Sequence, residues 1–96
     1  MPTKADILKH RDAILAIAER NGAFNLRIFG SMARGDQNEA SDLDLLVRFE
    51  PDRSLMDYGM LVEELQDLLG INFDVVSEAG TDQRFRDAVS KELVPL

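Results

Sequence analysis

Cysteine is absent from the 96 residues, so disulfides, thiolate metal sites and cysteine nucleophiles are all excluded. A single histidine, His10, leaves no imidazole cluster for zinc, and its local sequence offers it no partner, so a solvated position is expected. No basic segment followed by an apolar stretch opens the chain, and no apolar run approaches the length of a membrane span. A cytoplasmic protein without membrane contact is the expectation. Basic residues are outnumbered: 11 Lys and Arg against 18 Asp and Glu give a net charge of -7. A grip on DNA or RNA needs cations opposite the phosphates, so no direct nucleic-acid binding is expected, whereas a basic protein surface would be an easy partner. The length suffices for one hydrophobic core and no second one. Residues 1–96 are therefore expected to form a single domain, and no repeat, low-complexity tract or linker interrupts them.

What the chain does have is concentrated between Phe29 and Val47, FGSMARGDQNEASDLDLLV. Gly30 lets the backbone approach a ligand closely. Ser31 brings a hydroxyl and an N–H to the head of a short helix expected over Ser31 to Arg34, a place suited to an anion. Arg34 adds a guanidinium, which favours multidentate contact with phosphate. After ten intervening residues come Asp42 and Asp44, one residue apart at the head of an apolar run. Side chains alternate along a strand, so both carboxylates project to the same face. Paired carboxylate oxygens suit a hard cation such as Mg2+, which keeps coordination positions free for substrate phosphates. Each part alone has a plainer reading as a turn, a strand end or a solvated arginine; their combination points to phosphate chemistry.

The rest of the chain supplies a frame. Thr3 and Asp6 resemble a capping box, after which Ile7, Leu8, Arg11, Ile14, Leu15 and Ala18 recur at helical spacing until Asn21-Gly22, predicting one amphipathic helix. Asn25 to Phe29 reads as a strand leading into Gly30, and Met32 to Ala40 as the short helix followed by a loop. In a second strand, Asp42 to Phe49, Leu43, Leu45, Val47 and Phe49 form a buried face, with Asp42, Asp44, Leu46 and Arg48 on an open one. Ser54 and Asp57 suggest a second capping box. The helix they start has Leu55, Tyr58, Val62, Leu65 and Leu69 in a stripe, supported by Leu61 and Leu68 and ended by Gly70. Ile71 to Ser77 predicts a third strand, INFDVVS, interrupted by Asp74. A buried unpaired carboxylate is costly, and a strand–helix–strand crossover lays this strand parallel to the second. Asp74 is thus expected to join Asp42 and Asp44 on the open face. Thr81 or Asp82 caps a last helix carrying Phe85, Ala88, Val89 and Leu93. The predicted fold is α+β, in the order αβαβαβα. Its three-stranded mixed sheet, in order one, two, three with the first strand antiparallel to the second, carries helices on one face and the carboxylates on the other.

Gly30-Ser31, ten intervening residues and Asp42-x-Asp44, with Ala33-Arg34-Gly35 and Ser41 between, resemble the signature of the DNA polymerase β-like nucleotidyltransferase superfamily. The resemblance is to its minimal nucleotidyltransferase branch, small antitoxins paired with HEPN-domain toxins, and it covers nearly the whole chain. It implies a nucleotidyltransferase fold and transfer of AMP from ATP to a hydroxyl, here of a tyrosine on a HEPN ribonuclease toxin with which the chain would form a hetero-oligomer. It implies two Mg2+ ions held by Asp42, Asp44 and Asp74, with Asp74 also helping to deprotonate the acceptor. Gly30, Ser31 and Arg34 would hold the triphosphate. Two alternatives stay open: an antitoxin that neutralises by binding alone, and nucleotide transfer to a small molecule.

Overall fold

The structure, a computed structural model describing residues 3–36 and 42–96, begins as the capping residues predict. The Thr3 hydroxyl and the Asp6 carboxylate cap each other's backbone amides at the start of α1, Lys4–Lys9. The predicted helix is not continuous beyond this point. The chain turns at His10 and restarts as α2, Arg11–Arg20. The His10 N–H donates to the carbonyl of Ile7, a tightened turn, and the exposed His10 ring meets the carbonyl of Asp6. No glycine or proline marks this break. Ile7 and Ile14, one on each piece, are both fully buried in the same core.

Four strands form one sheet in the order β3-β2-β1-β4. β1 is Ala23–Phe29, followed at once by the short helix α3, Gly30–Arg34. The expected loop over 37–41, including Ser41, lies outside the described residues. β2, Leu43–Phe49, runs antiparallel to β1, with Ile28 opposite Leu45 and Phe29 opposite Asp44. α4, Leu55–Leu69, crosses over to β3, Phe73–Ser77, which lies parallel to β2. α4 opens with the predicted Ser54–Asp57 box and ends at Gly70 in the left-handed conformation. The Tyr58 hydroxyl donates to the Val75 carbonyl at 2.7 Å, pinning helix to strand.

The predicted three-stranded order holds, and a fourth strand extends it. β4, Val94–Pro95, pairs antiparallel with β1. A two-residue strand containing proline carries almost no local signal, and its position on the sheet edge is where proline is tolerated. α5 spans Gln83–Val89, with the Phe85 N–H donating to the carboxylate of its cap, Asp82. It stops before Leu93, which the sequence placed on its face.

The two sheet faces differ from expectation in one respect. Leu43, Leu45 and Val47 face the core as predicted, with Leu26, Ile28, Phe73 and Val75 beside them, and Ile7, Ile14, Ile17, Met32, Leu61 and Leu65 close it. The opposite face is not left open. α5 covers part of it: Phe29, Leu46 and Val89 are buried there, packed with Val76, Phe85 and Leu93. The rings of Phe29 and Phe85 meet edge to face at 5.5 Å. Leu46, counted among the polar face, is therefore a core residue. Leu55, counted in the apolar stripe of α4, is 82% exposed, because the helix presents Leu61 and Leu65 to the sheet. The described helices include none long and apolar enough to cross a membrane.

Candidate active site

Parallel pairing decides the centre of the site. Asp44 and Asp74 each follow the first residue of their strand, and the register sets them directly opposite one another. Neighbouring parallel strands lie about 4.8 Å apart, so two carboxylates on one face at the same level must interact. Burial, then the charge of Asp74 and that of Asp42, push the Asp44 carboxyl up from 3.8 to about 6. The positive charge of Arg34 opposes the rise.

The three predicted carboxylates are not equally placed. Asp42 precedes β2 and is exposed; it reaches Asp44 through its field. Asp74 is exposed too, so it sits at the rim of the sheet and needs no partner to offset burial. Among the described residues no three acidic or imidazole groups gather closely enough to hold a metal ion between them. The structure thus joins Asp44 to Asp74 and leaves Asp42 beside the pair.

Antiparallel pairing brings the glycine-serine turn to the same edge. Phe29, the last residue of β1, lies opposite Asp44, so the next residue, Gly30, abuts its carboxylate. Gly30 has φ +76°, where a side chain is strained, and a Cβ built on it would collide with Oδ2 of Asp44. Glycine at this position is a condition for the carboxylate to stand where it does. Ser31 is half-buried in the first turn of α3. Arg34 is half-exposed, its Nε donating to Asp36 at 3.1 Å and its Nη1 to Glu92 at 2.9 Å. Asp36 first, then Glu92, hold this guanidinium above its ordinary pKa.

Glu92 is the residue that sequence reasoning missed. Its Oε2 also accepts the Gly30 N–H at 2.7 Å, across 62 positions of chain. Nothing near Glu92 in sequence announces this; the short strand β4 is what delivers it.

The donor set fits a hard divalent cation in its chemistry. It consists of oxygen ligands alone, and the Asp44–Asp74 pair repels itself until a proton or a cation intervenes. Carboxylates held together against their own repulsion, beside a backbone turn stripped of its side chain, are suited to gathering a cation and the phosphates it carries.

A family model described as a nucleotidyltransferase domain matches residues 10–95. Protein adenylyltransferase MntA of Thermococcus cleftensis is 37% identical over 78 residues, 81% of this chain and 79% of its own length. A solved structure described as a candidate minimal nucleotidyltransferase superposes with TM-score 0.89 at 44% identity, over 99% of this chain and 97% of its own. A structure of a tri-AMPylated Shewanella oneidensis HEPN toxin in complex with MNT antitoxin matches with TM-score 0.68 at 16% identity, over 92% and 69%, a likeness of fold alone.

Proposed function

The chain belongs to the nucleotidyltransferase domain family and is a nucleotidyltransferase, and from that premise we propose that it transfers AMP from ATP to a tyrosine hydroxyl of a cognate HEPN ribonuclease toxin, acting as its antitoxin in the cytoplasm. The observation that carries this reading is the pairing of Asp44 with Asp74 across parallel strands, beside the side-chain-free turn at Gly30. The thermococcal relative is named for protein adenylylation, and the Shewanella assembly joins an AMPylated toxin to its antitoxin; both support the choice of a protein acceptor.

In this reading Asp42, Asp44 and Asp74 would hold Mg2+, which when bound would supply positive charge to the phosphate oxygens of an in-line displacement. Ser31, the Gly30 turn and Arg34 orient the triphosphate so that its α-phosphorus faces the acceptor. The acceptor oxygen bonds to that phosphorus, the α–β anhydride bond breaks, and pyrophosphate departs. Asp74, exposed at the rim of the sheet, would accept the hydroxyl proton in this reading. A protein acceptor brings its own surface, and the exposed apolar Leu55, Met56 and Met60 on α4 offer it one place to dock.

The test is to incubate the chain with Mg2+, ATP and the toxin encoded beside it and to weigh the toxin. Mass gains of whole AMP units are expected, and Asp74→Asn should abolish them. If the Asp42→Asn, Asp44→Asn double variant neutralises the toxin fully with no modified toxin formed, neutralisation is by binding and the catalytic reading fails.

A further inference from the structure

The contact between Glu92 and Gly30 is a product of strand register. Val94 pairs with Ile28 in the antiparallel β1–β4 ladder, and the Leu96 N–H donates to the Leu26 carbonyl at 2.9 Å. Extending that register by two residues sets Glu92 opposite Gly30. There a single carboxylate oxygen, on a side chain only 20% exposed, receives both the Gly30 N–H and Nη1 of Arg34.

We infer that Glu92 is a positioning residue for the nucleotide-binding turn: its carboxylate locks Gly30 in the left-handed conformation and holds Arg34 beside it. This rests on the reading of Gly30, Ser31 and Arg34 as the triphosphate-binding residues. Glycine visits φ values of either sign with similar ease, so the absence of a side chain that makes room for Asp44 also leaves the turn free to wander. A hydrogen bond from its amide to an acceptor held at the right reach selects one conformation, and the direction of the Ser31 hydroxyl follows from it. Asp36 holds one edge of the Arg34 guanidinium and Glu92 an adjacent one, so the cation is fixed in place before any phosphate arrives. The two-residue strand β4, which buries little, thereby acquires a role: it carries the tail carboxylate to the turn.

The experiment is calorimetric titration of Mg2+-ATP into the full chain without acceptor, each variant checked by circular dichroism to be folded at the working temperature. Glu92→Ala should weaken binding about tenfold, the effect of losing one hydrogen bond to a charged group, whereas Glu92→Gln, which still offers an oxygen to the Gly30 amide, should stay within about threefold. Glu92→Asp keeps the charge but withdraws it by one methylene, and should bind more weakly than Glu92→Gln. It also preserves the test should the alanine variant not fold. The Gly30 amide proton resonance should stay near its parental position in Glu92→Gln and move upfield in Glu92→Ala and Glu92→Asp. Parental affinity in folded Glu92→Ala would overturn the inference while leaving the proposed function standing. So would an affinity for Glu92→Asp above that of Glu92→Gln, since charge rather than reach would then be what matters. Tighter binding by Glu92→Ala would make the carboxylate a competitor of phosphate and overturn the positioning role. Failure of the parent itself to bind Mg2+-ATP would remove the proposed function and this inference together.

Discussion

Replacing Asp44 by Asn should make the protein more stable while destroying its site. The Asp44 carboxyl is pushed up from 3.8 to about 6, by burial first and then by the charges of Asp74 and Asp42. A carboxyl whose folded pKa exceeds its unfolded one keeps its proton more readily in the folded state. Stability therefore falls as pH rises from 3.8 to about 6, and above that range the loss is complete. At about 1.4 kcal/mol per pH unit, the interval caps the penalty at about 3 kcal/mol. Asp44 is half-exposed, and solvent screening reduces that figure to about 1 kcal/mol. Asparagine has nearly the same shape and no charge, so at pH 7 in chelator the variant should melt about 4–8 °C above the parent, as expected for a gain of 1 kcal/mol in a domain of this size. As pH falls through 3.8 and below, where the parental carboxyl becomes protonated in both states, the gap should close. Added Mg2+ should raise the melting temperature of the parent, because a ligand of the folded state stabilises it, and should leave that of Asp44→Asn where it was. An Asp44→Asn variant no more stable than the parent at pH 7, or one equally stabilised by Mg2+, would refute the reasoning.

Two further substitutions probe the turn. Gly30→Ala should cost about 1–2 kcal/mol from the left-handed backbone alone in a denaturant titration. Its Cβ would also displace the Asp44 carboxylate, so Mg2+ should no longer raise the melting temperature; retained Mg2+ stabilisation would show that the carboxylate does not depend on the bare glycine. Ser31→Ala should leave stability and Mg2+ response intact and weaken ATP binding by about 0.5–1.5 kcal/mol, more if the lost hydroxyl met a charged phosphate oxygen. Unchanged ATP affinity in calorimetry would reduce Ser31 to a turn residue.

The amino-acid sequence by itself determined the pieces whose physics is local. Thr3 with Asp6 and Ser54 with Asp57 each satisfy helix-end amides three residues away, and Gly70 ends α4 because it can take the left-handed conformation. The alternation of Leu43, Leu45 and Val47 with Asp44 could be read as a strand with two unlike faces, since side-chain direction along a strand has period two. The same periodicity, with the crossover rule, put Asp74 on the face of Asp44, and the register confirms the pairing. What required the fold were relations between distant segments. The break at His10 has no local breaker, neither glycine nor proline, so no residue beside it announced the turn. Leu46 looked like part of an open face because α5, which buries it, is far away in sequence. Periodicity could place three aspartates on one face, but the distances among their carboxylates depend on where each strand begins. Only in the fold does Asp44 meet Asp74 while Asp42 stands aside. Glu92 was invisible for the same reason: a contact across 62 residues is set by the register of β4 on β1, and register is a property of two strands together, which no window of sequence contains.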